Sequence, residues 1–138
     1  MHVCKAAVLH CIDFRLQKDL KSFLTSLDLL GACDVISIAG AVKSLVQGEP
    51  EEQAFVLKQI DTSVKLHAIR EVYLINHTDC GAYGGQSAFD SPEAERAVHV
   101  TDLQNAKKLI LAKHPNLKVE LLIVRLNESA GVDFEKVG

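Results

Sequence analysis

Two short polar motifs, each directly after an apolar run, constrain this chain more than any other feature. The first, CIDFR at residues 11–15, follows the run at 6–10, and the second, HTDCG at 77–81, follows the run at 72–76. Both runs have the length and composition of buried strands. If these strands are neighbours in a parallel sheet, both motifs leave it at the carboxyl edge, where open α/β folds place their ligands. The sequence therefore predicts that the side chains of Cys11, His77 and Cys80 converge there.

Two thiols and one imidazole form a donor set that suits Zn²⁺. Three protein ligands leave one position of a tetrahedron open, which is the catalytic rather than the structural pattern. His77 and Cys80 stand three residues apart, a short chelate spacing that the distant Cys11 would complete. Cys11 alone could be a buried core cysteine. Cys80 lies in a polar, glycine-rich stretch, where a role in core packing is not expected. We therefore predict one Zn²⁺ bound by Cys11, His77 and Cys80.

The rest of the hydrophobic pattern alternates between strand-like and helix-like segments. Strands are predicted at 5–10, 34–38, 70–76 and 117–126, and a polar tail from Asn127 onward predicts one last hairpin-like strand near 132–134. A leucine stripe predicts a helix over 16–30, with Gly31 as its stop. Another helix opens around Pro50, and a third, capped by Ser91, runs over 92–113. This alternation predicts an α/β fold with a parallel sheet and helices on both faces.

The combination Cys-x-Asp-x-Arg and, later, His-x-x-Cys-Gly resembles the zinc signature of the β-class carbonic anhydrases. The resemblance extends from Ala6 to about Val132. It implies a parallel sheet of about four to five strands, a Zn²⁺ cofactor, and reversible hydration of CO₂ to bicarbonate by zinc-bound hydroxide. It also implies a lyase that forms a homodimer or a higher homo-oligomer.

Asp13 and Arg15 are the candidate catalytic residues. In an extended chain both would lie on the same side as Cys11. As a solvated ion pair they would contribute little. The resemblance implies instead that Arg15 orients Asp13 toward the fourth zinc position; in some family members this Asp binds the zinc itself in a closed, inactive state. The side chains expected to form an apolar lining are those of Ile12, Phe14, Ala41 and Tyr83.

The sequence departs from the family pattern at three places. Ile12 and Phe14 stand where small hydroxyl residues are usual, and residues 37–41 keep only an Ala-Gly pair of the family's motif. The first strand begins almost at Met1, so the family's N-terminal helical arm is not expected. A catalytically weak or inactive zinc-binding homologue, or a hydrolase of a small CO₂ analogue, therefore remains an alternative.

Other interpretations of the polar residues are weaker. A metal-free cysteine enzyme with Cys80 as nucleophile and His77 as base leaves Cys11 unexplained. Asp79 could support His77 or simply be solvated. The remaining cysteines and most of the remaining histidines show no ligand spacing and are interpreted as packing or surface residues: Cys4, Cys33, His2, His67, His99 and His114.

Composition limits the class of protein. With 138 residues, 48% of them hydrophobic, the chain is expected to form a single domain over 1–138. A net charge of −3 gives no electrostatic case for nucleic acid or an anionic membrane. No apolar run approaches the roughly 20 residues of a membrane helix, and the start does not resemble a signal peptide. Four cysteines in this setting predict reduced thiols and a cytoplasmic protein.

Overall fold

A five-stranded sheet forms the centre of the computed structural model, which describes residues 1–127 and 131–138. The strands are β1 (Ala6–His10), β2 (Cys33–Ser37), β3 (Glu71–His77), β4 (Lys118–Asn127) and β5 (Gly131–Val137). Their order is β2-β1-β3-β4-β5; the first four are parallel, and β5 is antiparallel to β4. The predicted α/β fold with a mostly parallel sheet is confirmed. The last strand is longer than predicted, and residues 128–130 of the predicted polar tail lie outside the described part of the chain.

Four helices connect the strands: α1 (Gln17–Ser26), α2 (Lys43–Gln47), α3 (Pro50–His67) and α4 (Pro92–Lys113). The helix α4 has the predicted bounds, and the Ser91 hydroxyl caps it by accepting a hydrogen bond from the Ala94 N–H at 3.0 Å. The short helix α2 was not predicted. No helix of residues 1–127 and 131–138 combines the length and the apolar character that crossing a membrane requires.

The helix α1 ends earlier than the leucine stripe predicted. Asp28 adopts a positive φ of 56°, and the N–H of Leu29 donates back to the carbonyl of Leu24 at 2.8 Å. This tight turn ends the helix and directs Leu29 into the core, where its side chain is fully buried. Leu29 is therefore a core residue, and the turn rather than helical periodicity places it there.

The sheet has a hydrophobic core on each face. One core lies under α2, α3 and α4 and includes Leu74, whereas the other lies under α1 and includes Tyr73 and Ile75. Because side chains alternate along a strand, the two residues at the end of β3 also point to opposite faces. His77 lies on the α1 side, and Asn76 lies on the side of the other three helices.

Candidate metal centre

The three predicted zinc ligands meet at the carboxyl edge of the sheet. Parallel pairing of β1 with β3, with Leu9 opposite Leu74, places the ends of both strands side by side. Cys11 directly follows β1, His77 ends β3, and Cys80 lies in the turn that comes next. One donor atom from each lies within 4.8 Å of the others. All three side chains are buried, His77 at 1% exposure and Cys80 at 2%.

The chemistry of these donors fits a metal ion. The Nδ1–H of His77 donates to the carbonyl of Thr78 at 2.7 Å, so the neutral ring carries its lone pair on Nε2. That Nε2 is buried and has no hydrogen-bond partner among the described residues. The sulfurs of Cys11 and Cys80 are 4.0 Å apart, far beyond a disulfide bond. Two thiolates on a tetrahedral zinc ion would be roughly 3.8 Å apart, close to this spacing.

The two thiols differ in acidity. Contact with the sulfur of Cys80 lowers the pKa of Cys11, against the effect of burial and with help from His77 and the N–H of Gly40. The pKa of Cys80 is raised by the neighbouring Cys11 sulfur and by burial. Burial lowers the pKa of His77, but contact with the Cys11 sulfur and the Thr78 carbonyl outweighs burial and raises it. A cation bound here would release the protons that the two thiols retain.

The turn after β2 contributes a backbone donor to the site. The N–H of Gly40 points at the Cys11 sulfur at 3.4 Å. Gly40 has a φ of 77°, and a Cβ at this position would approach the Cβ of Ala82 to 3.0 Å and that of Lys43 to 3.1 Å. Glycine is required here by both conformation and space. This explains why the Ala-Gly pair stands in the sequence after β2.

Asp13 and Arg15 form the expected pair, although not by the expected geometry. The chain does not stay extended after Cys11, because Asp13 caps a 3₁₀ turn at Phe14–Leu16 and accepts the N–H of Arg15 at 2.9 Å. The Arg15 guanidinium donates to both carboxylate oxygens of Asp13, the shortest contact being Nη2 to Oδ2 at 2.7 Å. These bonds lower the pKa of Asp13 to about 2. Its Oδ2 lies 3.7 Å from Nε2 of His77, on the open side of the three donors.

Asp79 contacts Arg15, and Glu95 in turn contacts Asp79. The sequence analysis assigned neither residue this role. Arg15 donates from Nη1 to Oδ2 of Asp79 and from Nη2 to its carbonyl oxygen, both at 3.0 Å. Asp79 thus supports Arg15 rather than His77. The Asp79 N–H in turn donates to the buried carboxylate of Glu95 on α4 at 2.7 Å. Only the position of Asp79 between two ligands could have indicated its role; nothing in the sequence singles out Glu95.

A buried polar network lies behind the site on the other face of the sheet. The side-chain N–H groups of Asn76 donate to the hydroxyl of Tyr83 at 3.1 Å and to Nδ1 of His99 at 3.0 Å. Asp102 accepts from Tyr83 at 2.8 Å and from Gln47 at 2.6 Å. Burial and the Asp102 carboxylate raise the pKa of Tyr83. The network connects the residue before His77 to α2 and α4.

Of the three donor residues, Cys11 lines an open cleft of about 790 Å³. Ile12 and Phe14 line it as predicted and are 63% and 77% exposed. The expectation for Ala41 and Tyr83 was wrong, since Ala41 is fully buried in the core and the Tyr83 hydroxyl turns inward to Asp102. Small residues take their place in the lining, among them Ala39, Ala82 and three glycines of the 81–85 turn.

Comparison with known proteins identifies the family. A family described as "Putative carbonic anhydrase" matches residues 1–133. The chain belongs to this carbonic anhydrase family. It is also 29% identical over 127 residues to an uncharacterized protein of Rickettsia conorii, an alignment that covers 87% of this chain and 67% of that protein.

Solved carbonic anhydrases share the fold. A β-carbonic anhydrase of Trichomonas vaginalis superposes with a TM-score of 0.64 at 14% identity, over 96% of this chain and 83% of the other. One of two tetrameric β-carbonic anhydrases of Sordaria macrospora superposes with a TM-score of 0.55 at 15% identity, over 100% of this chain and 82% of the other. At these identities the likeness shows the carbonic anhydrase fold.

Proposed function

We propose that residues 1–138 act as a single zinc-binding domain that catalyses the reversible hydration of CO₂ to bicarbonate. The observation that carries this proposal is the buried Nε2 of His77, which has no partner among the described residues and lies with the sulfurs of Cys11 and Cys80 beside the cleft that Cys11 lines. A buried lone pair without a partner is unfavourable. A metal ion at this point would satisfy it together with both thiolates.

Cys11, His77 and Cys80 would hold the zinc ion. When bound, zinc lowers the pKa of a water molecule from about 15.7 toward 7, which makes a nucleophile available at neutral pH. The Thr78 carbonyl keeps the proton of His77 on Nδ1, and the N–H of Gly40 supports the charge on the Cys11 sulfur. These contacts keep the lone pairs of His77 and Cys11 directed to one point.

Asp13 would orient the reacting groups. Its pKa of about 2 keeps the carboxylate ionised at neutral pH, so its Oδ2 can only accept a hydrogen bond. Arg15 holds this carboxylate in one position through its side chain and its backbone N–H. Fixed beside the three donors, this acceptor would hold the hydrogen of an attacking O–H group and leave the oxygen's lone pair free for the carbon of CO₂. Ile12, Phe14 and Ala82 give the apolar surroundings that suit CO₂.

We further propose that two copies of the chain pair across the cleft. The cleft is far larger than CO₂ requires, and the exposed rings and methyl groups of Phe14 and Ile12 stand at its rim. Exposed apolar side chains grouped at one place are typical of an interface. A partner subunit would narrow the cleft and exclude water from it.

Metal analysis combined with stopped-flow CO₂ hydration tests the proposed activity. We expect wild-type protein to hold zinc at the carboxyl-edge centre and to hydrate CO₂, and Cys11→Ser to lose that zinc and all measurable turnover. Cys33→Ser is the matched control, because Cys33 lies on β2 away from the centre, and it should keep both. Full turnover in Cys11→Ser would contradict the proposal.

A hydrolase of a small sulfur-containing analogue of CO₂ is the second candidate. The large apolar side chains of Ile12 and Phe14 at the cleft favour it. Carbonyl sulfide assayed beside CO₂ distinguishes the two, since its hydrolysis releases CO₂ and H₂S. Zinc binding without either activity would identify a non-catalytic homologue. A metal-free cysteine enzyme is disfavoured, because Cys80 is buried and its pKa is raised.

A further inference from the structure

A second group of metal-ligating side chains lies at the opposite edge of the sheet, where the parallel strands begin. Cys4 stands two residues before β1, Asp34 is the second residue of β2, and His67 is the last residue of α3. One donor atom from each lies within 4.8 Å of the others. This group is remote from the candidate metal centre, which sits at the carboxyl ends of the same strands.

Hydrogen bonds position this second group. Ser63 and His67 lie one turn apart on α3 and therefore share a face. The hydroxyl of Ser63 donates to Oδ2 of Asp34 at 2.5 Å, and Nδ1 of His67 lies 2.7 Å from the same oxygen. The N–H of Cys4 donates to the carbonyl of His67 at 3.1 Å. Three separate segments of the chain are thus fixed around one point.

An ion pair alone does not account for the group. A His–Asp pair at a helix end requires no thiol, yet the sulfur of Cys4 lies within 4.8 Å of both partners. No hydrogen bond joins this sulfur to the His67 ring within residues 1–127 and 131–138; Cys4 donates instead to the carbonyl of Ala6 at 3.6 Å. Donors bound to one tetrahedral zinc ion stand roughly 3.3–3.8 Å apart. The 2.7 Å contact between Nδ1 of His67 and Oδ2 of Asp34 is a hydrogen bond and is shorter than this, so an ion would replace that bond and its proton, with the sulfur of Cys4 within 4.8 Å of both residues.

The charge of the group also suits a divalent cation. A carboxylate and a thiolate would neutralise a divalent ion, and the neutral imidazole adds the borderline donor that zinc prefers. The Asp34 and His67 side chains are partly exposed, so an ion has access and water can fill a fourth position.

We propose that Cys4, Asp34 and His67 form a second binding site for Zn²⁺ or a chemically similar divalent ion. On binding, Cys4 releases its thiol proton to solvent. The bound ion ties the segment before β1, the edge strand β2 and the end of α3 together. This site is independent of the proposed function of the cleft.

Cobalt titration of Cys11→Ser/Cys80→Ser protein tests the site, because no thiol then remains at the carboxyl edge. We expect Co²⁺ to bind with a thiolate-to-metal charge-transfer band. Adding Cys4→Ser should abolish the band and weaken Co²⁺ binding by at least about tenfold. Adding His67→Gln should weaken binding similarly. Adding Cys33→Ser is the matched control and should leave the band unchanged.

Absence of the band in Cys11→Ser/Cys80→Ser protein, its persistence after Cys4→Ser, or its loss with Cys33→Ser would each overturn the assignment. If the double variant does not fold by circular dichroism, zinc content decides the question. Single Cys4→Ser protein should then hold one zinc equivalent fewer than wild type after saturation and desalting. Equal zinc content in the two proteins would overturn the site. Both readouts, the cobalt band and the zinc content, are independent of whether the protein hydrates CO₂.

Discussion

At the scale of single residues, Arg15 decides how the cleft is arranged. Its guanidinium pairs with two carboxylates: that of Asp13, whose Oδ2 lies 3.7 Å from Nε2 of His77, and that of Asp79. This contact raises the pKa of Arg15 and lowers that of Asp13. Both acids therefore stay ionised around one cation, but only Asp13 faces Nε2 of His77. The two acids can be distinguished by mutation.

We expect Asp13→Asn to lower CO₂ hydration by roughly 10²-fold or more, because the amide can present a donor where an acceptor is needed. Zinc content should remain near that of wild type, and stability should fall by no more than about 1 kcal/mol. Stopped-flow assays and metal analysis on the same samples measure both. If Asp13 is instead a zinc ligand in a closed state, the substitution would raise activity at neutral pH.

Asp79→Asn is the matched control for this prediction. It removes the other carboxylate that pairs with Arg15, while its amide oxygen can still accept the N–H of Gln86 that Oδ1 accepts at 2.8 Å. Its effect on turnover should be much smaller than that of Asp13→Asn. Unchanged turnover in Asp13→Asn, with zinc bound, would remove Asp13 from the mechanism.

At the scale of elements, α4 carries polar groups into the protein interior. Its buried polar residues are Glu95, His99 and Asp102. Glu95 and Asp102 are hydrogen-bonded, but His99 accepts from Asn76 at Nδ1 and has no partner at Nε2 in residues 1–127 and 131–138. Burial lowers the pKa of His99 to about 4. In the folded protein, His99 on α4 therefore binds a proton less readily than it does in the unfolded chain.

This depressed pKa predicts a loss of stability in acid. Between pH 6.5 and 4 the unfolded chain binds a proton at His99 that the folded chain does not, so stability falls as the pH falls. From pH 7 to 4.5 we expect His99 to contribute a loss of about 2–3 kcal/mol. Urea unfolding of metal-free wild type and His99→Gln at both pH values measures it. The variant should lose less stability than wild type over this range.

His2→Gln is the control for the acid prediction, since His2 is exposed at the chain start. It should follow the wild-type pH dependence. An equal loss of stability in wild type and His99→Gln would show that His99 does not account for the acid sensitivity.

At the scale of the whole molecule, the candidate metal centre lies beside uncovered apolar surface. Phe14 and Ile12 are exposed at the rim of the cleft. The edge strand β2 also presents the exposed side chain of Val35. An unpaired strand edge and exposed apolar side chains favour association. These exposed side chains come from different segments of the chain, so the surface exists only in the folded molecule.

We expect the protein to form a homodimer in which Phe14 is buried. Light scattering at micromolar concentration should give about 30 kDa, twice the 15.1 kDa of one chain. Phe14→Glu should shift the protein toward the monomer, because it places a charge in the interface. Phe55→Glu changes an equally aromatic, exposed residue on α3 and should leave the dimer intact. A 15.1 kDa species in the wild type would contradict the prediction.

The sequence by itself determined the sheet and the meeting of the three metal donors. Strand periodicity and the order of strands and helices predict parallel neighbours, and parallel neighbours place Cys11 and His77 at one edge. Local signals such as Ser91 before Pro92 located α4. These predictions agree with the structure because short-range hydrophobic patterns identify the strands and helices. Parallel strands joined by helices can then adopt only a few topologies.

Only the tertiary structure decided which distant side chains share a site. The inward turn of Tyr83 toward Asp102 and the pairing of Arg15 with Asp79 depend on how helices pack against the sheet. The same holds for Cys4 and His67, which lie far apart in the chain and were interpreted as packing or surface residues. Their donors converge because α3 ends beside the start of β1, a placement set by packing rather than by any pattern along the sequence.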